Sequence, residues 1–260
     1  MGKHALGVLA WTLLGYLYLP VIVLLVFAFQ GSGLLSLPFT GPSLRWFQFV
    51  VAEESFRSAL MSSLKVGLAA SVMAMVVGTL TGLAFTRYKL RFQRPLEAMS
   101  MAPIALPGLF IGLALLAYFG RLGMSLSLVT VFLAHLLYVL PYVLIVMRNR
   151  MERFDVAIEE AARDLGANAW QTFWKVIVPF MMPGLVAGAL LAFTLSLDDF
   201  VITFFTSGPE TVTFPVKVYS LVRRGVSPEI NAASTVLIVI TVVATVLAMK
   251  LQAPQKSGKG

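Results

Sequence analysis

Long apolar runs separated by short polar stretches fill the chain. They fall at about 7–29, 59–86, 98–119, 125–147, 184–205 and 230–249. Each suits one membrane-crossing helix, which takes roughly 20 apolar residues. Barrel strands of about 10 residues are a poor fit to runs of this length. The expected fold is all-α and polytopic: one transmembrane domain over 1–260 with six transmembrane helices. The first run is longer than the roughly 7–15 residues of a signal-peptide core and has no evident cleavage pattern, so it reads as a retained span.

An even number of spans puts both termini on one side. The stretches on that side (1–6, 87–97, 148–183 and 250–260) hold thirteen Lys or Arg, and the opposite loops hold six. Lys65 lies just inside the outer end of the second span, where it can snorkel outward. Basic residues favour the cytoplasm, so both termini are expected there. The cluster "RYKLRFQR" carries most weight because its loop is short. Outside, Ser227, Pro228 and Glu229 supply an N-cap, a first helical residue and a first-turn acid for span six.

Composition agrees, with 58% of residues hydrophobic and 12% charged. Soluble domains run near about 25% charged. The net charge of +8 flanks apolar runs instead of forming a basic domain, which argues against nucleic acid. With no cysteine and only His4 and His135, each standing alone, no metal site is expected. No G-x-x-x-x-G-K-[ST] stretch is present to cradle ATP, and no nucleophile–base pair is apparent, so no catalytic residue is assigned.

The cytoplasmic loop 148–183 is longer than a turn requires. Phe154, Ile158, Ala161, Ala162 and Leu165 follow helical spacing as one apolar face, with Glu159, Glu160 and Arg163 directed mostly elsewhere. Gly166 suits a left-handed helix end, and Asn168 can cap a second short helix carrying Trp170, Phe173 and Trp174. Pro179 and Pro183 are expected to break the backbone before span five. Two readings stay open on periodicity alone: an amphipathic hairpin lying on lipid headgroups, or a docking knob for a soluble partner.

"EAARDLGANAWQTFWKVIVP" resembles the EAA motif of ABC importer permeases, E-A-A-x-x-x-G-x(9)-I-x-L-P. Glu160, Ala161, Ala162, Gly166 and Pro179 match at the motif spacing, while Val176 and Val178 replace Ile and Leu. "AFTLSLDDFVITFFTSGP" and "VYSLVRRGVSPEINAAST" are similar to the spermidine/putrescine importer permeases, particularly their C-type subunit. The resemblance implies a type I ABC importer permease in a bacterial inner membrane. Its implied partners are a second homologous permease, a homodimeric ATPase that binds ATP and Mg, and a periplasmic or lipid-anchored solute-binding protein. It implies that Glu160, Ala161, Ala162, Gly166 and Pro179 form the coupling contact with the ATPase. Polyamine members often carry an acid after the proline that opens span three, whereas this chain has Gly108.

Two adjacent acids, Asp198 and Asp199, stand in the apolar fifth run. A carboxylate at the bilayer centre costs about 2.5–3.5 kcal/mol on insertion scales, so these need a wet or paired setting. Asp198 lies roughly 21 Å along the span from Gly184, in its outer part. Helical neighbours diverge by about 100°, so the two acids share a direction only if the helix breaks. One reading has them line a pathway and attract an amine cation, with Tyr138, Tyr142, Phe110 and Phe119 as aromatic walls. The other has them bond to Ser196, Thr203 or backbone amides, or pair with Lys65 or Arg223. His135 is expected to be a packing residue. Arg223 and Arg224 suit either a contact with the binding protein or a solvated loop.

"PGLFIGLALLAYF" at 107 and "PGLVAGALLAFTL" at 183 share Pro-Gly-Leu-x-x-Gly, whose glycines suit close helix packing. The functional expectation is the permease subunit of an ATP-driven importer for a small cationic solute of the polyamine kind. A related importer for another solute, or an ion-coupled transporter using Asp198 and Asp199, are the alternatives.

Overall fold

The computed structural model describes residues 3–33, 39–88, 90–225 and 227–252. Lys89, Lys256 and Lys259, counted above on the cytoplasmic side, lie outside the described residues. The elements are α1 (Lys3–Phe27), α2 (Arg45–Ala52), α3 (Glu54–Arg87), α4 (Gln93–Ala105), α5 (Gly108–Arg121), α6 (Leu128–Met151), α7 (Val156–Asp164), α8 (Ala169–Thr172), a π-helical turn (Phe173–Ile177), α9 (Val178–Asp198), α10 (Val201–Thr206), α11 (Phe214–Val222) and α12 (Pro228–Gln252). Five helical stretches are long and apolar enough to cross a bilayer, and a sixth is available if a bent pair counts as one span.

That bent pair corrects the expectation of a single helix over 98–119. α4 and α5 meet at 110°. Pro107 is the cause: a residue before proline is pushed out of the α region, and Leu106 is extended at φ −96°, ψ 132°. The run 184–205 is likewise two helices. α9 ends at Asp198, and Asp199 is extended at φ −68°, ψ 123° before α10 begins.

Two prolines act against expectation in the other direction. Pro179 and Pro183 do not break the chain, which stays helical from Ala169 to Asp198. The π-turn just ahead of α9 opens the hydrogen-bond ladder where Pro179 has no N–H to give. Pro183 is carried inside α9, and the Phe180 carbonyl near it accepts from Arg150 Nε at 3.0 Å.

The chain divides into two compact units, residues 1–60 with 216–240 and residues 61–215 with 241–260. In the first, α1 is exposed along its apolar length. The loop after it wraps Gln30, which is fully buried; its side-chain oxygen accepts from the Thr40 amide at 3.0 Å, and its carbonyl from Trp46 Nε1 at 2.8 Å.

The second unit holds the candidate site, and glycines set its packing. A Cβ on Gly78 or Gly82 of α3 would lie 2.9 Å from Val143 or 3.3 Å from Met147 of α6. From the other side, Gly184 and Gly188 of α9 meet Met147, at 3.3 and 3.4 Å by the same measure. α6 is thus held on two sides by small-xxx-small pairs, the arrangement that lets membrane helices approach closely. Gly108 and Gly112 do the same for α5 against Ile202 and Phe205 of α10. Both glycines of each Pro-Gly-Leu-x-x-Gly stretch are packing residues.

The tightest glycine lies outside the helices. A Cβ on Gly208 would sit 2.2 Å from the Leu126 carbonyl oxygen, beside Ser127, the N-cap of α6. Gly208→Ala is expected to lower the melting midpoint of the detergent-solubilised chain, with a cost of about 2 kcal/mol for forced overpacking. Gly120→Ala, where a Cβ meets nothing within 4 Å, is the control and should not lower it. Equal midpoints for the two variants would refute the close approach.

Candidate functional site

The polar groups of the second unit gather where α9 ends. The break after Asp198 frees backbone amides, and the Asp199 carboxylate takes two of them. It accepts from Thr203 N at 2.9 Å and Ile202 N at 3.4 Å, which caps the first turn of α10. Thr203 Oγ1 adds a bond to the same carboxylate at 3.0 Å. His135 Nε2 of α6 lies 2.7 Å from Thr203 Oγ1 and 3.4 Å from Asp199 Oδ2, while its Nδ1 is 2.6 Å from Ser196 Oγ. A ring carrying its proton on Nε2 satisfies every group: Ser196 donates to Nδ1, Nε2–H donates to Thr203, and Thr203 donates to Asp199. His135 is 1% exposed and the Asp199 side chain 10%. A network so enclosed makes each polar group costly to orphan.

The structure therefore separates the two acids. Asp199 is held by the Thr203 hydroxyl and backbone amides, as the structural reading anticipated, with His135 added. The sequence reading missed His135 as its partner; the spacing from 135 to 199 carries no local signal. Asp198, the last residue of α9, is exposed and has no ion-pair partner among the described residues. Tyr138 lies one turn along α6 from His135, and its ring meets Tyr142 edge-on at 5.8 Å. An exposed, unpaired carboxylate can take an ammonium through charge-assisted hydrogen bonds.

Phe110 is not brought to this group. Gly108, Ile111 and Gly112 face α10, and Phe110 lies on the opposite flank of α5, 59% exposed. Phe119 is buried at 2%, its ring tilted against Tyr118 with centroids 6.1 Å apart.

The second candidate surface is the hairpin at 155–177. Asp155 caps α7 by accepting from Ala157 N at 2.9 Å. Its other end closes in a Schellman motif: Gly166 N donates to Arg163 O at 2.8 Å and Ala167 N to Ala162 O at 3.0 Å, with Gly166 at φ 85°. Asn168 and Gln171 form a reciprocal capping box on α8. The turn chemistry is as the sequence predicts. No residue of α7 is buried. Val156, Ile158, Leu165, Trp170 and Trp174 are exposed, Leu165 at 90%, whereas Glu159 points inward to Arg87 at 2.9 Å. Of the apolar face read from the sequence, Ile158 and Leu165 point outward, while Phe154 is buried against Phe180 and Arg87. The reason is that the inner end of α3 offers a guanidinium, which selects a carboxylate over an apolar side chain. Glu160 and Ala161 are exposed, Ala162 is half-buried, and Pro179 is exposed in the first turn of α9.

A family model described as "Binding-protein-dependent transport system inner membrane component" matches residues 70–254. The chain is 34% identical over 257 residues to the spermidine/putrescine transport system permease protein PotC of Escherichia coli (strain K12), covering 99% of this chain and 97% of that protein. It is 36% identical over 230 residues to the putrescine transport system permease protein PotI of the same organism, covering 86% and 82%. The molybdenum transport system permease protein ModB of Mycobacterium bovis is 29% identical over 258 residues, covering 92% and 94%. Among solved structures, a bacterial alginate ABC transporter in complex with a pentasaccharide-bound periplasmic protein aligns at TM-score 0.69 with 15% identity, over 96% of this chain and 92% of that one. The MetNI methionine ABC transporter aligns at TM-score 0.63 with 16% identity, over 77% and 97%. These two likenesses establish the fold. The chain belongs to the family of binding-protein-dependent transport system inner membrane components, as a non-catalytic, multi-pass permease subunit of an ABC importer.

Proposed function

We propose that this permease imports an organic amine cation of the polyamine class, and that Asp198 is its contact near the outer end of α9. The observation that carries the reading is the division of labour between the acids: Asp199 is consumed by the helix break, whereas Asp198 is exposed and has no ion-pair partner among the described residues. PotC and PotI are named for the transport of spermidine and putrescine, both amines, which agrees. An exposed carboxylate would repel an oxyanion, which weighs against a molybdate-type solute.

A second homologous permease completes the pathway, and a homodimeric ATPase supplies the ATP and Mg chemistry. A periplasmic or lipid-anchored binding protein delivers the solute. The hairpin with Glu160, Ala161, Ala162 and Gly166 docks on the ATPase. Its exposed apolar side chains provide buried area, and Glu160 offers a carboxylate to basic groups. ATP-driven closure of the ATPase then biases the permease between two states.

Reconstitution of the four components in vesicles with radiolabelled putrescine tests this. Asp198→Asn is expected to cut uptake about tenfold, the loss of one charge-assisted contact. Unchanged uptake with unchanged ATPase stimulation overturns the role of Asp198. Uptake by this chain alone, driven by an ion gradient, overturns the importer mechanism.

A further inference from the structure

Arg87, the last residue of α3, ties the hairpin to the helices in two ways. Its guanidinium lies over the Phe154 ring at 5.0 Å. Phe154 meets Phe180 of α9 edge-on at 5.0 Å, and Phe180 is covered in turn by the Arg150 guanidinium of α6 at 4.3 Å. This stack of two rings between two cations joins α3, the start of the hairpin, α9 and α6. Separately, Arg87 pairs with Glu159 of α7 at 2.9 Å, and Glu159 also holds Arg163 at 2.6 Å. Arg87 and Glu159 line a cleft of about 540 Å³ with Leu83, Tyr88, Glu160 and Phe173.

α7 has no buried residue, so no apolar anchor fastens it. Its hold on α3 is the Glu159–Arg87 pair. That pair is close yet off the hydrogen-bond axis, so neither atom has an aligned partner. Charge attraction is weakly directional and persists through small sliding, as a hydrogen bond does not. The Glu159 side chain is 13% exposed, so water screens the pair less than at an open surface.

We propose that Arg87 is a positioning residue that couples the hairpin to α3. A displacement of α7 pulls on Glu159, Glu159 pulls on Arg87, and the Phe154–Phe180–Arg150 stack keeps α6 and α9 in step. This rests on the importer reading above, in which the ATPase moves the hairpin.

The test uses the complete four-component transporter, and the cysteine-free chain permits a single pair of spin labels. Cysteines replace the exposed Val76 of α3 and Leu113 of α5, and the label distance is measured without nucleotide and with ATP plus vanadate. The wild-type pair should change its distance on trapping. Arg87→Glu should lose that change, and the ratio of putrescine imported to ATP hydrolysed should fall about tenfold, within the span usual for coupled sites. Arg87→Lys, which keeps a cation for both Glu159 and the Phe154 ring, should retain both. An undiminished distance change in Arg87→Glu overturns the proposal. If Arg87→Glu fails to assemble, Arg87→Ala, which removes the pair and the ring contact without adding a charge, decides: an undiminished distance change there overturns it equally. A wild-type complex with no ATP-dependent change overturns the importer reading itself, which is a different result.

Discussion

Asp199→Ala is expected to cost about 4 kcal/mol of stability, from a lost helix cap and two orphaned buried donors. The donors are the Thr203 amide and the Thr203 hydroxyl, both enclosed at the break between α9 and α10. Asp199→Asn should cost less, because an amide oxygen in the place of Oδ2 still accepts from Thr203 N and Thr203 Oγ1, and only the 3.4 Å bond from Ile202 N is lost. Asp198→Ala should leave stability nearly unchanged, since surface substitutions away from caps and networks have small effects. Tryptophan fluorescence during thermal melting of the detergent-solubilised chain reads all three. Similar midpoints for Asp199→Ala and Asp198→Ala would mean that the carboxylate network does not hold the break.

The second large effect belongs to the hairpin. Trp170 is 69% exposed and Leu165 is 90% exposed, so a charge there is free in the isolated chain and buried in a docked one. Trp170→Glu is expected to weaken association with the ATPase about a hundredfold, as loss of an aromatic anchor does at protein interfaces. Leu165→Glu repeats the test outside the cluster that Trp170 forms with Phe173 and Trp174. The melting midpoint of the isolated permease should not move in either variant. Affinity measured with the permease complex in nanodiscs decides: unchanged binding in both variants removes the docking surface and returns the hairpin to the lipid headgroups.

The sequence revealed most where one residue type dictates one local geometry. Apolar run length located the helical regions, Gly166 located the left-handed end of α7, and Asn168 located the cap of α8. Prolines were legible only in part. Pro107 breaks a helix while Pro179 does not, because the π-turn before Pro179 absorbs the missing donor. That turn has no signature in the residues themselves. The facing of α7 was also hidden, since it depends on Arg87, distant in sequence. The His135–Asp199 link fails for the same reason: a pair between separate helices leaves no periodic trace. Asp198 and Asp199 look equivalent in the string, and only the extended backbone at Asp199 gives them different tasks.

The unbroken helical path from Ala169 to Asp198 has a mechanical consequence. Its 30 residues make a lever about 45 Å long at 1.5 Å per residue. A tilt of about 5° at the hairpin end moves the Asp198 end by about 4 Å, more than the whole working range of a hydrogen bond. A cation held between Asp198 and groups on another element would be gripped or released by that swing alone. Affinity at the outer face would then be set by angle at the inner face, with no side chain at the site needing to change its rotamer.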